Sequence, residues 1–190
     1  MLLSGVAAFL AAIFYGSFME WFIHRYFMHT DRLLKVTFQR HAIEHHSDRR
    51  SFQRFYAQPE EDVKYLFIES SFIPILWALH LPAFLLVGWL LGVPAGVGAA
   101  LGTLAYATGY EAIHFFIHTP RNYWFQRTRA FRFYCEYHRI HHHKARRNYN
   151  IVLPIADVLF RTISLEPLKP EPSAPHFVRR DTGPLAALEK

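Results

Sequence analysis

Two long apolar stretches dominate the pattern of hydrophobic and polar positions. Residues 1–24 and 65–118 together contain three carboxylates and no lysine or arginine. A helix needs about 20 apolar residues to cross a bilayer, so the first stretch predicts one membrane-spanning helix and the second predicts two, joined by a turn at residues 92–96. Pro74 and Pro82 interrupt the second stretch and can split it, which gives three to four transmembrane helices.

The basic residues are confined to the remaining segments. Eight of the 21 lysines and arginines lie in residues 25–64 and thirteen lie in residues 119–190. The positive-inside rule then places both basic segments in the cytoplasm, which agrees with an odd number of spans. We predict an integral protein of a bacterial-type inner membrane, with its C-terminus in the cytoplasm. Nucleic acid is not an expected partner, because the topology explains the charge and no nucleic-acid-binding motif is present.

Composition supports a folded, helical membrane protein. Hydrophobic residues make up 52% of the chain and aromatic residues 17%, which excludes a disordered or fibrous protein. The fold class predicted is all-α: a polytopic membrane protein with a cytoplasmic helical cap. Residues 1–165 form the predicted membrane domain. Residues 166–190 hold five of the eleven prolines and predict a loosely ordered tail.

Histidine is the abundant metal-binding side chain. The single cysteine excludes a disulfide framework and cysteine-based metal sites, whereas there are 13 histidines. Eleven of them form four clusters: His24 and His29; His41, His45 and His46; His114 and His118; His138, His141, His142 and His143. We expect His80 to be a hydrogen-bonded packing residue and His176, in the tail, to be exposed.

The spacing within the clusters suits metal binding. Residues three or four apart share one face of an α-helix, so the pairs His41/His45 and His114/His118 each present convergent imidazoles. His138, His141 and His142 do the same by this spacing, whereas His143 points away. The spacing of five between His24 and His29 requires a helix end, a bulge or two different metals.

The membrane topology brings the four clusters to one side. The first and third spans end in clusters on the cytoplasmic side, and the other two clusters lie in cytoplasmic segments. Packing of these spans gathers the imidazoles next to the acyl chains of a lipid. Ten nitrogen ligands are too many for one metal ion and suit a dimetal site.

Three carboxylates are candidates for orienting the ligands. Glu20 precedes His24 by one helical turn, and Glu111 precedes His114 by three residues. Each is predicted to accept a hydrogen bond from a ligating imidazole, with a helix–helix hydrogen bond as the alternative. Asp157 lies in a short amphipathic segment after the last cluster, where it orients a histidine or caps local structure.

The ordered histidine runs resemble those of the membrane-bound fatty acid hydroxylase / sterol desaturase superfamily. The runs are HRYFMH from residue 24, HAIEHH from residue 41, HFFIH from residue 114 and HRIHH from residue 138. The resemblance covers about residues 15–165, including the ending after Asn148 and Tyr149. There, Asn150 and Arg161 stand where glycine is usual in the family. The second run also has the spacing HxxxHH in place of the commoner HxxHH.

The resemblance implies an O₂-dependent oxidoreductase of lipid biosynthesis, which hydroxylates or desaturates a C–H bond of a membrane lipid. It implies two iron ions, with zinc possible in the purified protein, and O₂ as co-substrate. An external electron donor is expected, such as a ferredoxin, cytochrome or flavoprotein reductase, because no nucleotide-binding glycine motif is present. The metal ligands carried over are His24, His29, His41, His45, His46, His114, His118, His138, His141 and His142.

Two other functions are alternatives. Carotenoid β-ring hydroxylases have a similar size and order of histidine runs, but generally fewer than the eleven residues between His29 and His41. A metal transporter or metal-binding membrane protein needs polar ligands near the middle of the bilayer, where these spans are apolar apart from His80.

Overall fold

The computed structural model describes residues 2–46, 55–57 and 72–169, and every regular element in these ranges is helical. The all-α prediction is confirmed for this part of the chain. The first half contains α1 (Leu2–Ile23), the π-helical turn π1 (His24–Met28), α2 (Lys35–Phe38) and π2 (Gln39–His45). The second half contains α3 (Ile73–Leu79), α4 (Leu81–Leu91), α5 (Val93–His118), a 3₁₀ turn (Trp124–Arg127), α6 (Arg129–His143) and α7 (Ile155–Leu159).

The packing of α1 against α5 forms the scaffold of the molecule. Two glycines on α5 allow the close approach: a Cβ on Gly102 would lie 2.6 Å from the carbonyl oxygen of Phe9, and one on Gly98 would collide with the backbone of Gly5. Small residues at such a contact let two backbones pack tightly within a membrane. The approach brings the histidine-bearing ends of the two helices together.

The continuous helix Leu2–Met28 is the one described helix long and apolar enough to cross a membrane alone. A second span is possible if α3 and α4, which are bent by 43° at their junction, act as one. The break lies at His80, and Pro82 stands in the first turn of α4, where proline is tolerated. The larger number of spans and their sidedness stay predictions.

The turn between α4 and α5 is shorter than the predicted turn at residues 92–96. The chain reverses at Gly92, which has φ +93°, and α5 starts at Val93. Glycine adopts this angle at little steric cost, and Pro94 fits the first helical turn because no intrahelical partner is needed there. One glycine is therefore sufficient for the reversal.

The cap consists of α6 and the segment that follows it. Thr128 begins α6 by accepting a hydrogen bond from the Phe131 amide at 3.2 Å. The Asn148 side chain donates to the carbonyls of Tyr137 and Ser164, both at 2.9 Å, and so closes the segment back onto α6. Most of the predicted tail, including His176, lies outside the described residues.

Candidate metal centre

Ten buried or largely buried histidines form two groups of five. The first group consists of His24, His29, His41, His46 and His141, and the second consists of His45, His114, His118, His138 and His142. Within each group, one nitrogen from every residue lies within 4.8 Å of the others. All ten predicted ligands belong to these groups. Exposed His143 belongs to neither.

Two π-helical turns determine the membership of the first group. The amide of His29 donates to the carbonyl of His24 at 3.2 Å, and the amide of His46 donates to that of His41 at 3.0 Å. These i→i+5 hydrogen bonds place residues five apart on one face, which an α-helix does not do. The bulge predicted as one way for His24 and His29 to act together is confirmed.

Two predicted pairings are wrong. The α-helical spacing pairs His41 with His45, but π2 turns His41 towards His46, and His45 joins the second group. The same spacing groups His141 with His138 and His142, yet His141 lies in the first group, so that α6 supplies ligands to both groups. The second group instead uses α-helical i, i+4 spacing, with His138/His142 on α6 and the corresponding pair on α5.

Backbone carbonyls fix the orientation of three imidazoles. Nδ1 of His24 bonds to the carbonyl of Tyr149, Nδ1 of His118 to that of Phe55 at 2.8 Å, and Nδ1 of His141 to that of Arg147 at 2.7 Å. A carbonyl oxygen only accepts, so Nδ1 carries the proton in each ring and Nε2 presents its lone pair. This is the usual outer support of a metal-binding histidine.

The Nε2 atoms face one another inside the groups. The Nε2–Nε2 distance is 2.9 Å between His24 and His41, and 3.1 Å between His118 and His138 and between His29 and His141. Among the described residues, Nδ1 of His138 and of His142 is buried without a hydrogen-bond partner. Convergent lone pairs in a buried site are stabilised by a cation between them, so the residues fit a metal ion in each group.

Burial keeps these imidazoles uncharged. It lowers the pKa of His141 to about 4, and burial together with the charge of His141 lowers the pKa of His29 to about 2. Burial also lowers the pKa of His138 and His142 well below the ordinary value, and the charges of neighbouring histidines add to the effect. Metal binding requires neutral imidazole, and the site provides it at neutral pH.

Glu20 supports the centre indirectly. Its carboxylate accepts hydrogen bonds from the Tyr106 hydroxyl at 2.5 Å, from the Asn150 side-chain amide at 3.1 Å and from the Ile151 backbone amide. The bonds from Asn150 and Ile151 attach the segment after α6 to α1, and the bond from Tyr106 attaches α5 to it. The predicted hydrogen bond from a histidine is not among them, because the carbonyl of Tyr149 occupies Nδ1 of His24.

Asp157 organises the same segment from the other side. It accepts hydrogen bonds from the amides of Tyr149 and Asn150 at 3.0 and 2.7 Å, and from the Thr162 hydroxyl at 2.6 Å. The Tyr137 hydroxyl is a further donor, at 2.9 Å. Asp157 therefore holds the carbonyl that orients His24 and caps local structure, which was one of the two predicted roles.

Glu111 differs from both of these carboxylates. It is 6% exposed, and neither carboxyl oxygen has a hydrogen-bond partner among the residues that the structure describes. Its predicted contact with a histidine is absent from the described part of the chain. It lies one turn before His114 and contributes to the wall of a cavity.

A cavity of about 260 Å³ extends from His24 between α1, α3 and α5. Apolar and aromatic side chains dominate its wall, such as Met19, Leu76 and Trp77. The polar side chains in the wall mostly bond within the protein: Tyr15 with His80 at 3.0 Å, and Thr103 with the backbone of α5. His80 is thus a hydrogen-bonded packing residue, as predicted. The resulting surface suits an apolar ligand.

The backbone acceptors Phe55, Arg147 and Tyr149 are not predicted by the sequence. Their side chains gave no signal, because the carbonyl makes the contact.

Asn150 and Arg161 stand where glycine is usual at the end of the family pattern, and the structure explains part of this difference. Asn150 uses its side chain to bond the Ser17 carbonyl at 2.8 Å, and Arg161 adopts φ +56°, an angle at which glycine is the usual residue.

Residues 9–162 match the family model described as fatty acid hydroxylase. The match covers most of the chain, and the protein therefore belongs to the fatty acid hydroxylase family. The resemblance seen in the histidine runs is confirmed. Membership implies a membrane-associated oxidoreductase of a typically iron-dependent family, in agreement with the two histidine groups. No curated protein and no solved structure matches the chain closely enough to add a relative.

Proposed function

We propose that this protein is an O₂-dependent oxidoreductase that hydroxylates or desaturates a C–H bond of a membrane lipid in lipid biosynthesis. One observation carries the proposal: the cavity with an apolar wall reaches His24, a member of the first histidine group. A hydrocarbon segment in this cavity lies beside the candidate metal centre. The protein is an integral membrane protein in this proposal, with the metal centre and C-terminus in the cytoplasm.

Each histidine group holds one metal ion in this proposal. Imidazole ligates iron and zinc alike, so zinc is compatible with the purified protein and iron with the active one. Two iron ions held by these histidines would supply the reductive activation of O₂ that attack on an unactivated C–H bond needs. The electrons come from an external ferredoxin, cytochrome or flavoprotein reductase.

The chain itself positions the reactants. The side chains of Met19, Leu76 and Trp77 bind the hydrocarbon segment and exclude water from it. The carbonyls of Tyr149 and Arg147 keep the proton of His24 and His141 on Nδ1, so that Nε2 faces the metal position. Asp157 and Glu20 fix the segment that bears these carbonyls.

The test compares lipids from a host that expresses the wild-type chain with those from hosts that express variants. The double variant His138→Ala/His141→Ala removes one ligand from each group, and His143→Ala is the matched control on the same helix. We expect a lipid that gains one oxygen, or loses two hydrogens, in the wild type and the control only. Mass spectrometry identifies the substrate class, including a carotenoid if that alternative holds. An unchanged product in the double variant, at matched protein level, contradicts the proposal.

A further inference from the structure

Four arginines lie in the segments that border the first histidine group. We define the arginine patch as Arg25, Arg146, Arg147 and Arg161. The guanidinium of Arg25 lies over the rings of Trp21 and Tyr149, at 4.8 and 5.9 Å from their centroids. Nη1 of Arg147 donates to the carbonyl of Arg161 at 2.9 Å. Arg146 is exposed and directly precedes Arg147 in the chain, which adds a further cation to this surface.

The patch is available for a partner. Arg146, Arg147 and Arg161 are exposed and Arg25 is half-buried. Within the described ranges, none of the four forms an ion pair; the nearby Glu166 pairs with Lys144 instead. Unpaired cations grouped in this way attract an acidic surface and orient its approach.

The same patch lies one layer of residues from the first histidine group. The ring of Tyr149 is 5.6 Å from that of His24 and 5.7 Å from that of His141, centroid to centroid. The carbonyl of Arg147 accepts the Nδ1 proton of His141 at 2.7 Å. An exposed residue of the patch is thus bonded through its own backbone to a candidate metal ligand.

We propose that the arginine patch is the docking surface for an acidic electron-carrier protein, whose electrons reach the first histidine group past Tyr149 and through the Arg147 carbonyl. The inference rests on the proposed function, because hydroxylation consumes electrons that the lipid does not supply. A C–H bond, O₂, two electrons and two protons give an alcohol and water. A one-electron carrier therefore docks twice in each turnover.

The contact with His141 favours a redox partner over lipid headgroups. A surface that only attracts anionic headgroups has no need of a bonded route to the metal ligands. In the second group, His118 bonds to the carbonyl of Phe55, which is buried and not exposed as Arg147 is.

Binding of a probe carrier tests the site directly. The iron-loaded protein is placed in phosphatidylcholine nanodiscs, and an acidic [2Fe–2S] ferredoxin is titrated at low and high salt. The variant Arg146→Glu/Arg147→Glu reverses two charges of the patch. Arg121→Glu/Arg129→Glu reverses two exposed charges, one before α6 and one at its first residue, and the length of α6 places Arg129 about 20 Å from the patch. The two variants have the same net charge.

We expect the patch variant to bind ferredoxin at least about tenfold more weakly than the wild type at low salt, and the control to change by less than about twofold. The rate of metal reduction by reduced ferredoxin follows the same order. Iron content stays at the wild-type value in both variants, which shows that the centre still forms.

Three outcomes overturn the proposal. Equal weakening of ferredoxin binding in the two variants means that the net charge of the protein, and not a docking site, is responsible for the binding. Absence of ferredoxin binding to the wild type at low salt excludes an acidic carrier. Loss of binding to anionic vesicles without loss of ferredoxin binding identifies a headgroup surface. Failure of the proposed function is distinguishable, because ferredoxin then binds the patch while no oxidised lipid forms.

Discussion

The two histidine groups contain equal numbers of imidazoles but are built by different backbone geometry. The first group takes two pairs, spaced five apart, from the π-helical turns π1 and π2. The second takes two pairs, spaced four apart, from the α-helices α5 and α6. Each group receives its fifth member from an element that mainly serves the other: His141 from α6 and His45 from π2. Neither group is therefore independent of the other.

The surroundings of the groups differ as well. The first group borders the apolar cavity through His24 and the arginine patch through Tyr149 and Arg147. The second lies beneath the buried aromatic residues Phe55 and Tyr110. π-Helical turns are frequent at functional sites, and here they supply the two pairs of the group that borders the cavity and the patch, whereas regular helices supply the two pairs of the other group.

The largest expected effect is loss of a whole metal site. His41→Ala removes a ligand from the first group, and His138→Ala removes one from the second. Each variant is expected to bind one metal ion in place of two and to lose more than about a hundredfold in activity, because even outer-shell losses reach that size. Metal-to-protein ratios and product formation measure this, with His143→Ala as control. Two ions retained in either variant contradicts the two-group assignment.

Removing a π-helical turn separates the groups without altering any histidine. Deletion of Tyr26 shortens the His24–His29 spacing to four and abolishes the i→i+5 hydrogen bond. We expect the first group to lose its metal ion and the second to keep its own. The substitution Tyr26→Ala is the control, since it removes the same ring and keeps the spacing. Metal analysis showing two ions after the deletion would mean that the bulge is dispensable.

A smaller effect is expected from substitution of Asp157, the carboxylate that holds the segment whose carbonyl orients His24. Asp157→Asn replaces an acceptor of four hydrogen bonds and loosens the carbonyl that orients His24. Metal affinity of the first group falls about 10- to 100-fold, while that of the second group is unchanged. Competition with a chelator measures both. Glu111→Gln is the comparison, because Glu111 makes no hydrogen bond to a described residue, and we expect little change.

The last expected effect is a loss of folding stability at acid pH. The pKa of His141 is lowered from 6.5 to about 4 in the folded state, so the unfolded chain binds more protons between these values. The contribution of His141 to stability is fully present above pH 6.5 and falls as the pH drops towards 4, by at most about 1.4 kcal/mol per pH unit. The thermal midpoint of metal-free protein in nanodiscs is expected to fall between pH 7 and 5. Metal-loaded protein should fall at least as much, because a metal-bound Nε2 takes up no proton while the unfolded chain still does; a midpoint that does not change between pH 7 and 5 would contradict the burial of a neutral His141.

Much of the fold could be predicted from the sequence, as could the identity of the ten histidines in the candidate metal centre. The apolar stretches predicted helices, and the break near Pro82 and the reversal near Gly92 were visible in residue type. The ten histidines were identifiable because their number and spacing exceed what packing needs. The role of Asp157 was predicted only as one alternative, because a carboxylate in a short amphipathic segment fits a cap and an orienting contact equally well.

The sequence by itself determined which residues come together, because helix propensity, the length of the apolar stretches and the number and spacing of the histidines are local properties. The tertiary structure decided how they are divided. Whether residues four or five apart share a face depends on the backbone hydrogen bonds of π1 and π2. Such π-helical turns cost little free energy only when their imidazoles converge with imidazoles from distant helices. The carbonyls of Phe55, Arg147 and Tyr149 could orient histidines only after folding, since every residue carries the same carbonyl and position alone distinguishes these three.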